Sequence, residues 1–307
     1  MKTISNLRYD FKNNKILLLM LVPAIIYFVI FMYLPMAGIV VAFKRLDYTL
    51  GIFKSPWIGF DNFRFLFMSG QAFNITKNTI LYNLTFIIAN TITQIIIAIL
   101  MSEVGGKLFK KTTQTILMFP YFLSWVVVGT FIYNIFSYQF GFLNSILPSF
   151  GISPINFYNI PSAWPIIIVI FAVWKDVGYG SIIYLAAISG INMELYESAD
   201  IDGANIINKI WHITLPSIKP TIIIIILLAM GRVLRGNFDM FFQIIGNNGV
   251  LFDKTDVIDT YVYRSLMQNQ NFGMSSAAAM YQSVIGFFII MITNYSIKRF
   301  DKEYALF

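Results

Sequence analysis

Residues 191–220 read INMELYESADIDGANIINKIWHITLPSIKP, and residues 221–230 that follow read TIIIIILLAM. The second stretch, with five consecutive isoleucines at 222–226, suits hydrocarbon and no solvated surface. The first is its opposite, a gathering of acidic residues, small residues and a glycine that belongs in water. Polar loop joined directly to apolar run decides the class: an all-α integral membrane protein.

Composition agrees, because 57% apolar residues, only 12% charged residues and a mean hydropathy of +0.69 exceed what a soluble core needs. A large soluble helical protein is excluded by arrangement, since the apolar residues come in runs able to cross about 30 Å of hydrocarbon at about 1.5 Å per residue. About six runs are expected, at residues 16–43, 78–101, 113–136, 161–190, 217–234 and 275–297. The fifth is the shortest, and the fourth is long enough to span with tilt. Lys12 and Lys15 ahead of the first imitate a secretory signal, but the run is too long and lacks an A-x-A cleavage site.

Lys and Arg set the expected orientation, since short cytoplasmic loops carry their excess. With both termini inside, Lys2, Arg8, Lys12, Lys15, Lys107, Lys110, Lys111, Lys209, Lys219, Lys298, Arg299 and Lys302 are cytoplasmic, 12 of the 22 basic residues. The net charge of +7 then reflects topology and anionic lipid, not nucleic acid.

Residues 1–307 read as a single domain, with 191–220 as a cytoplasmic loop within it. Two connections are long, about 44–77 and 237–274, both on the outer side. Trp57, Phe60 and Phe63 in the first suit a half-buried helix at the membrane interface. No internal repeat is visible, which weighs against a self-contained secondary transporter built from inverted repeats.

The absence of cysteine excludes disulfides and thiol chemistry, and a single histidine, His212, argues against His-based metal or acid–base work. His212 is expected to be a loop residue satisfied by backbone or water. No G-x-x-x-x-G-K-[ST] phosphate cradle occurs, so any ATP used would be bound by another chain.

The loop reads as two short helices joined at Gly203. Asn192 caps the first, with acidic residues in its opening turns as the helix dipole favours. Gly203 permits a bend, and Leu215–Pro216 is expected to stop the second helix before the fifth span. Ser198, Ala199, Gly203 and Ala204 keep one surface flat for close approach, while Glu197 and Asp202 offer charge to a cationic partner.

Glu197-Ser198-Ala199, then Asp202-Gly203-Ala204, and later Ile213-x-Leu215-Pro216, resemble the EAA loop of ABC importer permeases. Ser198 stands where that pattern prefers alanine, a departure that keeps the side chain small. The resemblance implies a type I importer permease fold, with Glu197, Ala199 and Gly203 in a coupling helix that enters a cleft of an ATP-hydrolysing subunit. Leu215 and Pro216 would complete that loop. Segments 57–63, 174–184, 214–220 and 236–238 resemble the carbohydrate branch typified by the maltose permease, and 256–264 resembles permeases for polysaccharide fragments and complex glycans.

Charges inside spans cost about 2.5–3.5 kcal/mol each on insertion scales and usually face a cavity or a partner. Lys175 and Asp176 fall in the fourth run. Lys175 and Tyr179 share a helix face, which in the resembling sugar permeases contributes to the substrate cavity; the competing reading pairs Lys175 with a carboxylate or lets it snorkel. Arg232, Arg235 and Asp239 would form one polar stripe if the fifth span continues as helix, donors suited to a sugar hydroxyl or a uronic acid carboxylate. The competing reading is a pair of snorkelling arginines. Asn237 lies off that stripe but occupies the place of a sugar-contacting asparagine in the resembling maltose permease, with Gly236 as the bend that reconciles them. Tyr121, Trp125 and Tyr133 could stack on sugar, but in a chain with 17% aromatics, packing and lipid contact are the expected roles.

The expected function is a multi-pass permease subunit of the bacterial cytoplasmic membrane, not itself an enzyme and without a cofactor, forming half of the path for an oligosaccharide by alternating access. The resemblance implies a second permease subunit, two cytoplasmic ATPase subunits that hold ATP and magnesium, and an extracellular sugar-binding protein. An ion-coupled secondary transporter of a polar solute is the alternative, and a membrane-bound enzyme lacks a catalytic constellation.

Overall fold

The computed structural model describes residues 14–68 and 70–300; Lys2, Arg8, Lys12 and Lys302 of the orientation argument lie outside them. Among the described residues, five helices are long and apolar enough to cross a membrane: α1 (Lys15–Phe43), α3 (Gln71–Glu103), α6 (Pro161–Ser189), α8 (Ile206–Met230) and the Phe272–Ser296 part of α11 (Phe272–Phe300). A sixth span is a bent pair, α4 (Lys107–Phe122) and α5 (Trp125–Phe136), which meet at 92°. The remaining helices used below are α2 (Asp61–Met68), α7 (Met193–Ile201), α9 (Phe238–Ile245) and α10 (Ile258–Met267).

Six spans were expected, but the third is not the continuous helix anticipated for 113–136. Pro120 sits in the last turn of α4, and Ser124, with extended backbone, starts α5 as its N-cap by accepting from Val127 N–H at 3.4 Å. A proline followed by a capping serine ends one helix and begins another. The fifth span differs too. Leu215–Pro216 does not stop a helix, because α8 passes through it after a wide π turn at Ile210–Thr214, whose closing bond runs from Leu215 N–H to Ile210 O. The same device recurs in α1, where a π turn at Val29–Tyr33 closes from Leu34 N–H to Val29 O just before Pro35. A π turn shifts the backbone pairing by one residue, which lets a helix absorb a proline that lacks its own N–H.

The packing centre is α6, which lies along α3 and against α4. Gly178 and Gly180 make this possible: a Cβ at 178 would fall 1.9 Å from the Leu117 carbonyl oxygen, and one at 180 would fall 2.1 Å from Gln94 Cδ. Small residues are what allow helices to approach closely inside a bilayer. Trp164, Phe241, Met240, Ile132 and Val128 are fully buried together where α5, α6 and α9 meet. By contrast α1 has no buried residue before Val41, and only its last turns, Ala37–Phe43, pack on α2 and α11.

Segment 44–68 folds back on α1 through aromatic rings, Phe43 stacking on Trp57 with centroids 5.5 Å apart and Phe60 standing edge-on to Phe43 at 5.4 Å. Segment 248–258 is bolted to α3: Asn78 Nδ2 donates to the carbonyls of Asp253 and Asp256 at 3.1 Å each, the Tyr82 hydroxyl donates to the Lys254 carbonyl at 2.9 Å, and Thr79 Oγ1 accepts from Ile258 N–H at 3.0 Å. Arg264 grips Asp256 with both arms of its guanidinium, at 2.9 and 2.5 Å, with Phe252 stacked beneath it.

Candidate functional site

The polar loop bends at Gly203 as expected, but only its first helix is short, because the second is the start of α8. Asn192 Oδ1 accepts from Glu194 N–H at 3.1 Å to cap α7, and Asn205 Oδ1 accepts from Asn208 N–H at 2.9 Å to begin α8. Between them Gly203 has φ +73° with open space where a side chain would stand, and Ala204 N–H closes the turn on Ala199 O at 2.8 Å. The left-handed conformation is what calls for glycine here.

Two contacts fix the loop on the end of α8. The hydroxyls of Tyr196 and Thr214 share a hydrogen bond of 2.9 Å, and Lys209 pairs with Asp200. Glu197, Ser198, Asp202, Gly203 and Pro216 are exposed, while Ala199 and Leu215 are half-buried. Beside the carboxylates stand apolar side chains without cover, Ile201 at 87% and Trp211 at 64% exposure, with Met193, Leu195 and Ile207 also exposed. The turn thus presents exposed apolar side chains together with exposed carboxylates. His212 Nδ1 lies 3.0 Å from the Asn208 carbonyl oxygen, so it is held by backbone as expected.

Lys175 follows neither of the two simple alternatives. Its side chain is buried, and Nζ donates to the Tyr121 carbonyl at 2.6 Å while lying 5.3 Å from the Tyr121 ring and 5.5 Å from that of Trp125. That carbonyl is one of those left over at the end of α4 by the break, so a cation from α6 supplies the missing donor. Tyr179, one turn further along α6, stacks on Tyr121 with centroids 4.5 Å apart and planes 10° apart. Both rings remain partly open, at 46% and 37% exposure. The structure therefore joins Tyr179 to Tyr121, and Lys175 to both Tyr121 and Trp125, two aromatics of the third span to which the sequence assigns packing. Tyr133 lies elsewhere, tilted against Tyr158 at 6.0 Å.

The stripe expected of Arg232, Arg235 and Asp239 does not form. Helix α8 ends at Met230, residues 231–234 turn, and α9 begins separately at Phe238 with Asn237 Oδ1 accepting from Met240 N–H at 3.1 Å. Asn237 is thus a helix cap, and Asp239 is an exposed residue of the first turn of α9. The break is held from outside. Asp259 Oδ2 accepts from Gly236 N–H at 2.6 Å and from Gln282 Nε2 at 3.0 Å, and Gln282 Nε2 also donates to the Leu234 carbonyl at 2.7 Å. A Cβ at position 236 would lie 2.8 Å from Asp259 Oδ2, so Gly236 is required by this clamp. Burial pushes the Asp259 carboxyl above its ordinary range, opposed by the Gly236 N–H and the Gln282 amide that stabilise its charge.

A cavity of about 700 Å³ opens beside the clamp, lined by Arg232, Arg235, Asp259, Gln282 and Ser283 among others. It brings the two arginines together but includes neither Asn237 nor Asp239, nor the Lys175–Tyr179 group. Gln282 and Asp259 were missed in the sequence; a glutamine midway along an apolar span was the available signal.

Residues 94–302 match the family described as binding-protein-dependent transport system inner membrane component. The polygalacturonan/rhamnogalacturonan transport system permease protein YteP of Bacillus subtilis (strain 168) is 35% identical over 95% of this chain and 90% of its own length. A chain in the crystal structure of a bacterial ABC transporter involved in the import of the acidic polysaccharide alginate superposes with a TM-score of 0.87 at 34% identity, covering 96% of this chain and 99% of that one. A bacterial alginate ABC transporter in complex with alginate pentasaccharide-bound periplasmic protein gives a TM-score of 0.85 at 33% identity, over 96% and 98%.

Proposed function

This chain belongs to the family of binding-protein-dependent transport inner membrane components, and from that premise we propose that it is one of two permease subunits of an ABC importer for an oligosaccharide. It is a multi-pass protein of the bacterial cytoplasmic membrane. A binding protein outside delivers the glycan, a second permease completes the path, and ATP and magnesium are held by two cytoplasmic ATPase subunits. The start of α1, the end of α11 and α7 lie on the cytoplasmic side, and α9 and α10 on the outer side.

The observation that carries this reading is the surface of the 191–205 turn. Exposed Met193 and Ile201 together with Glu197 and Asp202 make an apolar knob with an acidic collar, on a turn tied by Tyr196 and Lys209 to the helix that leads into the membrane. Force applied to α7 by a closing ATPase pair is transmitted to α8 through those ties. Glu197, Ser198, Ala199, Asp202 and Gly203 form the contact, and Leu215 and Pro216 follow the π turn at the root of α8.

The solute side rests on the Tyr121–Tyr179 pair, Trp125 and the two arginines. Ring faces pack on the C–H surfaces of sugars, and guanidinium and phenol groups serve hydroxyls. Tagged chain purified from its native membrane should bring with it a second permease and an ATPase, and the reconstituted assembly should take up an oligosaccharide only with its binding protein and ATP. Uptake by this chain alone, driven by a proton or sodium gradient, would instead establish a secondary transporter.

A further inference from the structure

The side read above as outer carries a second cavity, of about 450 Å³, between the 44–62 segment and the turn that joins α10 to α11. Its floor is fixed. Asn62 Nδ2 donates to the carbonyls of Ala42 and Lys44 at 2.9 and 3.1 Å, and α11 packs on that amide because residue 273 is glycine: a Cβ there would fall 2.6 Å from Asn62 Nδ2. Lys44 is spent on its own loop, its Nζ donating to the carbonyls of Ile52 and Phe53 at 3.1 and 2.5 Å. One wall is aromatic, with exposed Tyr48 standing edge-on to exposed Phe272 at 5.7 Å.

Another wall is the turn Gln268-Asn269-Gln270-Asn271, four amides in a row. Two of them serve the fold: Gln268 Nε2 donates to Asn247 Oδ1 at 2.8 Å, and Asn271 Oδ1 accepts from Met274 N–H at 3.0 Å. Asn269 and Gln270 are exposed, and among the described residues their side chains hold no partner. Gln270 has φ +50°, in the left-handed region, while every other positive φ among the described residues falls on glycine. Backbone bonds from Asn269 N–H to Arg264 O and from Asn271 N–H to Ser265 O, at 3.1 and 2.9 Å, close the turn that imposes this angle. Glycine is the residue that takes such an angle freely after a helix. A side chain kept at a strained backbone position in the wall of a cavity points to a use for that side chain.

We propose that this cavity is an outer subsite for one sugar residue of the transported oligosaccharide, with Asn269 and Gln270 hydrogen-bonding its hydroxyls and the Tyr48–Phe272 pair packing on its C–H face. The inference rests on the permease reading above and adds a site to it. A side-chain amide offers donors and an acceptor, as a hydroxyl does, so the two residues serve a polyol without setting a charge against it. A lipid phosphate would seek a surplus of positive charge, and the lining has none to spare, since Lys44 is spent on carbonyls and Arg45 is matched by Asp61. A protein partner needs a broad patch, whereas this is a concavity of ligand size.

The test uses the complete importer, with its partner permease and ATPases, in nanodiscs free of glycoside detergent and at first without binding protein. Saturation-transfer NMR follows two probes, a neutral tetrasaccharide (maltotetraose) and an acidic one (a tetrauronate). At least one should bind, and Gln270→Gly and Asn269→Ala should each weaken it by about fivefold, the loss of roughly one hydrogen bond. Because glycine suits the left-handed angle, Gln270→Gly should raise the melting midpoint while it weakens binding, which separates a lost contact from a damaged fold. Binding of neither probe, or binding that both variants leave unchanged, would overturn the inference. A defect confined to discs of anionic lipid would also overturn it, assigning the cavity to headgroups, as would unchanged probe binding with weaker ATPase stimulation by glycan-free binding protein, which would make it a protein contact. Uptake by this chain alone on a proton or sodium gradient, with probe binding and its loss in the variants as stated, would remove the permease reading and leave the subsite standing.

Discussion

Lys175 Nζ donates to the carbonyl of Tyr121 across the gap between α6 and the broken third span, at 2.6 Å. The bond places a positive charge on backbone that the break has stripped of its helical donor, and the Tyr121 and Trp125 rings cover that charge. It explains how a lysine that closes no salt bridge among the described residues is tolerated inside a span. Lys175→Met should leave the carbonyl unpaired in an apolar setting and lower stability by about 1–3 kcal/mol. Thermal unfolding of the detergent-solubilised protein measures this; an unchanged midpoint would show the bond to be idle.

Gly178 and Gly180 should differ in their response to the same small change. A methyl at 180 meets the Gln94 side chain, which can rotate away, whereas a methyl at 178 meets the Leu117 backbone carbonyl, which cannot. Gly178→Ala is therefore expected to be the more damaging, at the upper end of the about 1–3 kcal/mol typical of overpacking or above it. Yield of folded protein and melting midpoint compared between the two variants check the order.

Gly236→Val should break the clamp at the end of α8, because the added atoms would collide with Asp259 Oδ2 and Val257 Cγ2 at under 3 Å. With Asp259 displaced, Gly236 N–H loses its acceptor. Proteolysis of the 231–237 segment should speed up while cleavage of the α7 loop stays unchanged. Equal protection of both segments in the variant would contradict the role given to Gly236.

The spans were legible because crossing a bilayer writes itself into one dimension: about twenty apolar residues in a row, as at 16–43 or around the isoleucines at 222–226. Asn192, Gly203 and the exposed carboxylates of α7 were legible for a similar reason, since caps and left-handed glycines act on neighbours in the chain. What stayed hidden depends on residues far apart. The break at 122–125 has local signals in Pro120 and Ser124 but is supported from distant Lys175, and the end of α8 is held by Asp259 and Gln282, which no window around Arg232 contains. Pro216 misled for a local reason. Its cost to a helix was read correctly, but a π turn one step earlier absorbs it.

The isolated chain should bind no nucleotide. Its sequence offers no phosphate-cradling glycine loop, and the coupling account assigns ATP to partner subunits. Fluorescent ATP analogue titrated into the purified subunit should give no saturable signal; a tight, saturable site would contradict this division of labour.

Glu197→Lys reverses the charge of the knob, and Gly203→Trp places a large side chain at a backbone angle of φ +73° on its surface. Both variants should insert normally and lose binding-protein-stimulated uptake. Normal uptake by both, at equal membrane abundance, would remove the docking role.

The claim that α7 couples this chain to an ATPase is tested most directly by proximity, and the native chain contains no cysteine to interfere. Ser198→Cys places a single thiol on the exposed surface of α7, beside Glu197. In the assembled importer a short bifunctional reagent should join this thiol to the ATPase subunit, with a yield that changes when ATP is added. Assembly and transport at normal levels with no such product, in either nucleotide state, would contradict the account.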